Sequence, residues 1–107
     1  MPDRILPVAL SALSEILNAL RDPTRRRILL RLLEGEQPCF SFADLGSKTL
    51  LSYHFAVLRQ AGLTRTRREG TSLLMSVCWE EFETAYPGLL QAVLTADRQE
   101  RASDLAR

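Results

Sequence analysis

One histidine, His54, and two cysteines, Cys39 and Cys78, are the side chains best suited to nucleophilic, redox or soft-metal chemistry in this 107-residue chain. A metal centre needs several converging ligands, and a group-transfer enzyme needs a nucleophile beside a base and an anion cradle. Here the histidine falls on the packing face of a helical pattern, and no glycine-rich phosphate loop is present. An enzyme, a metal site and a cofactor are therefore not expected. A thiol switch joining Cys39 and Cys78 stays open as an alternative, but it requires Cα atoms within about 7 Å, which spacing alone does not supply. Inert, reduced thiols are the simpler reading.

A second kind of chemistry is carried by polar and cationic side chains at helical spacing between residues 46 and 62. Ser47 is suited to cap a helix, because its hydroxyl can accept from a first-turn amide, and nothing interrupts the run from Lys48 to Ala61. At about 100° per residue, Leu50, Leu51, His54, Phe55, Val57, Leu58 and Ala61 gather on one arc. Lys48, Thr49, Ser52, Tyr53, Ala56, Arg59 and Gln60 fill the other. Short hydroxyl-bearing and cationic side chains at a helix start suit insertion into a major groove, where they meet base edges or phosphates. An ordinary solvated face fits the same pattern.

The stretch that follows, residues 63–77, favours nucleic acid. Thr64 to Arg68 tolerate a strand and place the guanidiniums of Arg65, Arg67 and Arg68 on it, Glu69-Gly70 supplies a turn, and Leu73, Met75 and Val77 alternate inward on the return. A helix followed at once by a cationic two-stranded ribbon is a winged-helix arrangement. Its helix enters the major groove and its ribbon follows the backbone or the flanking minor groove. The candidate DNA-binding set is Ser47, Lys48, Thr49, Ser52, Tyr53 and Arg59 on the helix, with Arg65, Arg67, Arg68 and Thr71 on the wing. A winged helix used only to dock protein is the alternative, although such surfaces usually carry aromatic or apolar anchors where this one is cationic.

Three motifs in order resemble those of the ArsR/SmtB family of winged-helix repressors. His54-Phe55-Ala56-Val57-Leu58-Arg59-Gln60-Ala61-Gly62-Leu63 is similar to the family's "H-x-x-x-L-R-x-A-G-L" run, and Arg67-Arg68-Glu69-Gly70-Thr71 to its wing tip. Leu20 to Leu29 resembles its "L-x-D-P-T-R-x-x-I-L" helix start. The resemblance implies a homodimeric transcriptional repressor of double-stranded DNA, released from its operator by a signal. Its arsenic-sensing members pair two cysteines one residue apart near Cys39, where this chain has Phe40 and Ser41. The histidines and carboxylates that zinc-sensing members place on the last helix are missing as well. Leu50 and Tyr53 depart from common family residues, so no operator sequence carries over.

The surrounding elements must hold this helix and ribbon. At 46% hydrophobic the chain suits one domain, residues 1–107, small enough for a second copy to add stability. Net charge is only +1, yet the acid-free run from Lys48 to Arg68 and the acids beyond Trp79 predict a cationic and an acidic end. No stretch resembles a signal peptide or membrane span, so a cytoplasmic protein without membrane contact is expected.

Residues 1–7 read as a loose arm. Residues 8–20 form a first helix, and Asp22-Pro23 opens a second in which Ile28, Leu29, Leu32 and Leu33 face the core and Arg25 to Arg27 form a solvated cationic face. In the connector Phe40, Phe42 and Leu45 anchor a short helical turn. Trp79, Phe82 and Tyr86 line one side of a short helix, and 88–100 form the last, fading after Asp97. A bare winged helix needs neither the first nor the last helix. The resemblance implies that they pair across a two-fold axis through Leu10, Leu13, Ile16, Leu17, Leu89, Leu90, Val93 and Leu94.

Overall fold

The computed structural model describes residues 13–106. Five α-helices, one 3₁₀ segment and three strands follow in the order α1 (Leu13–Leu20), α2 (Pro23–Leu32), β1 (Gln37–Pro38), the 3₁₀ segment (Cys39–Leu45), α3 (Lys48–Gln60), β2 (Thr64–Glu69), β3 (Ser72–Val77), α4 (Trp79–Ala85) and α5 (Leu89–Ala106). The expected arm and Leu10 lie outside the described residues.

Local chemistry sets the borders of the elements that position the site. Asp22 caps α2 by accepting from the Arg25 amide at 3.1 Å, with Pro23 in the first turn, where its missing N–H is no loss. Ser47 caps α3 by accepting from the Leu50 amide at 3.1 Å. At the far end of α3 the amide of Gly62 donates to Arg59 and that of Leu63 to Leu58, both at 3.0 Å. This crossed pair requires a left-handed residue, and Gly62 supplies it at φ 80°. Leu58 and Leu63, fully buried, clamp the joint, so helix and wing leave it in a fixed relation.

The wing is a hairpin with Glu69 opposite Ser72 and Thr64 opposite Val77. Gly70, at φ 62°, takes the first central position of the two-residue turn. The sheet has a third strand that sequence did not predict: Gln37 and Pro38 pair antiparallel with Met75 and Leu74, giving the order β1-β3-β2. Two residues, one of them proline, are too short a run to read as a strand. The pairing covers the free edge of β3 and ties the connector to the wing.

The core joins Ile16, Ile28, Leu29, Phe42, Leu58, Leu63, Met75, Phe82 and Leu90, all essentially inaccessible. Several expectations need correction. Phe40 is 73% exposed, so the connector is anchored by Phe42, whose ring meets Phe55 edge-on at 5.9 Å, with Leu45 half-buried. Leu33, Leu50 and Leu73 are also exposed, against the inward assignment that periodicity gave them. The last helix does not fade at Asp97 but runs to Ala106, because Asp97 is buried and hydrogen-bonded by Arg26 and Arg101, each at 2.7 Å.

Candidate DNA-binding surface

α3 buries Leu51, His54 and Leu58 and leaves Ser47, Lys48, Thr49, Ser52, Tyr53 and Arg59 exposed. Ala56 is half-buried, and Leu50 stands on the exposed side, so the outward face carries one large aliphatic that periodicity assigned inward. The first turn of α3 holds no acid, and its free amides add partial positive charge beside Lys48. This end of the helix is suited to an anionic group.

His54 is held from behind. The Arg25 guanidinium donates to its Nδ1 at 3.1 Å, to the Ala19 carbonyl at 2.7 Å and to the Asn18 carbonyl at 3.0 Å. A guanidinium only donates, so Nδ1 is the acceptor. Arg25 is 3% exposed, which corrects the reading of Arg25 to Arg27 as one solvated face. Arg26 turns to Asp97 and the Leu20 carbonyl, leaving Arg27 the exposed member. Arg25 thus fastens the end of α1 to α3.

The wing arginines divide by strand alternation. Opposite residues share a face, so Arg68 lies with Leu73, Thr66 and Met75, while Arg65 and Arg67 lie with Ser76 and Leu74 on the other side. On that other side Arg67 makes paired bonds to Glu36 at 2.9 and 2.8 Å and meets Glu69 at 2.9 Å. Its hydrogen bonds hold the Glu36 carboxyl below the usual carboxylate range. Arg65 pairs with Glu81 and donates to the Cys78 sulfur at 3.4 Å. None of the ion pairs among the described residues uses Arg68, Lys48 or Arg59. Thr71 is exposed beside the turn. Sequence missed Glu36 and Glu81 as partners because they lie outside the ribbon, and no local pattern signals them.

Both cysteines are free. Burial pushes each thiol up, against an opposing pull from Arg59 at Cys39 and Arg65 at Cys78, which disfavours the thiolate needed for ready oxidation or metal binding. Among the described residues no group of three or more His, Cys, Asp or Glu could hold a metal ion, and no helix is long and apolar enough to cross a membrane.

The residues expected between copies separate into two sets. Ile16, Leu90 and Leu94 are buried within the single chain, because their stripes pack against its own core. They are corrected from contact residues to core. Leu13 and Leu17 remain 47% and 48% exposed, and Leu89 and Val93 are half-buried.

A capped helix with a polar, cationic face, joined rigidly to an arginine-bearing hairpin, defines a winged helix-turn-helix DNA-binding regulator. Known proteins agree. The uncharacterized HTH-type transcriptional regulator YceK of Bacillus subtilis is 35% identical over 86 residues, covering 75% of this chain and 84% of that protein. The HTH-type transcriptional regulator CmtR of Mycobacterium tuberculosis is 37% identical over 89 residues, covering 81% and 75%. Among solved structures, an ArsR family transcriptional regulator, RHA00566, superposes with a TM-score of 0.63 at 28% identity, covering 87% of this chain and 98% of that one. Rv0081 of M. tuberculosis gives 0.60 at 29% identity, covering 87% and 88%. No model of a known family matches the chain. By these relatives the chain belongs to the ArsR/SmtB family of transcriptional regulators.

Proposed function

We propose that this regulator is a cytoplasmic, dimeric repressor that needs no metal to bind its operator. Lys48, Thr49, Ser52 and Tyr53 read base edges, with Ser47 and Arg59 at the margins of the reading face. Arg68 and Thr71 approach the backbone from the wing, and Arg65 and Arg67 do so by exchanging their carboxylates for phosphates. The observation that carries this reading is the acid-free outward face of α3, whose Lys48 enters no ion pair among the described residues, beside Arg68 on the inner face of the hairpin. The exposed Leu13 and Leu17 support pairing of two copies, since a lone surface seldom leaves such a helical stripe in water.

Footprinting on DNA flanking the protein's own gene tests this. Two protected half-sites about one helical turn apart are expected, one for each reading helix of the dimer. Protection of no sequence over random DNA would overturn it. Tyr53→Ala or Lys48→Ala should cost about 1–3 kcal/mol on the operator and relax base preference, with little change on scrambled DNA. Chelator-treated protein should footprint as before.

A further inference from the structure

Between the 3₁₀ segment, α3 and the wing opens a groove of about 580 Å³, within the size range of pockets that bury a small organic molecule. Its apolar wall includes Leu51, Phe55, Leu73 and Met75, and Phe40 stands at it 73% exposed. Lys48 and Arg59 line the same groove, and among the described residues no acidic one does. The ion pairs among the described residues leave both cations unused, although Arg65 and Arg67 on the neighbouring ribbon each hold a carboxylate. Arg59 and Cys39 both line this groove.

An apolar cleft with the unneutralised Arg59 on its wall and, among the described residues, no acid complements a molecule with an apolar body and an anionic head. We propose that this groove binds a small aromatic carboxylate, its ring against Phe55 and Leu73 and its carboxylate on Arg59. The consequence rests on the DNA-binding reading of α3. Lys48 and Ser52 line the groove and belong to the proposed reading face, so an occupant and the operator compete for the same side chains. Occupancy weakens operator binding.

Calorimetric titration of the whole protein with 2-naphthoate, without DNA, tests the site directly. One saturable site per chain is expected. The neutral 2-naphthalenemethanol and the Arg59→Gln variant should each bind at least about tenfold more weakly, the scale of a lost charge pair. Ala43→Trp, which fills the groove from the 3₁₀ segment, should abolish binding while thermal unfolding stays cooperative. Absence of saturable binding, equal affinity for acid and alcohol, or an affinity that falls as protein concentration rises overturns the proposal, the last because a second copy would then cover the groove. In a second arm, saturating naphthoate should raise the operator Kd at least about tenfold. An unchanged operator Kd overturns the competition. Failure of the DNA-binding reading would look different: no operator binding with or without naphthoate, while calorimetry still shows the site.

Discussion

At the scale of single residues, two buried charges do more for the architecture than any side chain on the outward face. Arg25 reaches α1 through two carbonyls and α3 through His54, so removing its guanidinium leaves buried acceptors unpaired. Arg25→Met should destabilise the fold by about 2–4 kcal/mol in urea titration. Arg25→Lys should recover little, because an ammonium cannot reproduce the fork. Asp97 gives a pH signature. Burial pushes its carboxyl up, and the hydrogen bonds from Arg26 and Arg101 pull it down further, leaving it below the usual carboxylate range. A carboxyl depressed by folding contributes stability above its unfolded pKa, near 3.9, and loses it as pH falls through the folded value. Asp97→Asn should therefore be less stable than the parent by about 2–3 kcal/mol at pH 7, and the gap should close below about pH 4. Both charges were partly legible in sequence: Arg25 falls on the stripe of Ile28, Leu29 and Leu32, and Asp97 on that of Leu90 and Leu94. Periodicity exposes such residues only when charged positions are allowed on a buried face.

Among elements, α3 and the wing hairpin were legible in sequence, whereas β1 and the partners of the wing arginines were not. Ser47 and Gly62 mark the ends of α3 in sequence because capping is local chemistry, and the structure keeps both marks. The partners of the wing arginines are not local. Glu36 lies 31 residues from Arg67, and Glu81 lies 16 from Arg65. The wing therefore carries its charge unequally. Arg68→Ala should reduce the slope of log affinity against log salt by about one unit, equally on operator and random DNA. Replacing Glu36 and Glu69 together by glutamine releases Arg67 and should steepen that slope by up to about one unit. Filter binding across a salt series separates these outcomes. An unchanged slope in both variants would move the phosphate contacts off the ribbon.

For the whole molecule, the apolar stripes on α1 and α5 were visible in sequence, but not which of their residues the chain keeps for itself. A stripe shows which side is apolar and not what covers it. Ile16, Leu90 and Leu94 are used internally, which leaves Leu13 and Leu17 on α1 as the exposed part of the stripes. Leu17→Glu should leave the fold cooperative, because the side chain is already half in water, and on the proposed pairing through α1 it should shift the protein from dimer to monomer in sedimentation at micromolar concentration. A dimer that survives this change places the interface elsewhere.

The paired wing arginines also bear on how the protein spends its time in a cell. Attraction to arbitrary DNA grows with the number of cations that release counterions from phosphates. An arginine already holding a carboxylate exchanges one ion pair for another, and the gain is only the difference. Arg65 and Arg67 then add little to residence on the millions of irrelevant sites that a genome presents. More copies stay free to search, and the low net charge of +1 acts in the same direction. On the proposed role of the wing, operator occupancy at a given copy number rises without a single added contact to the operator.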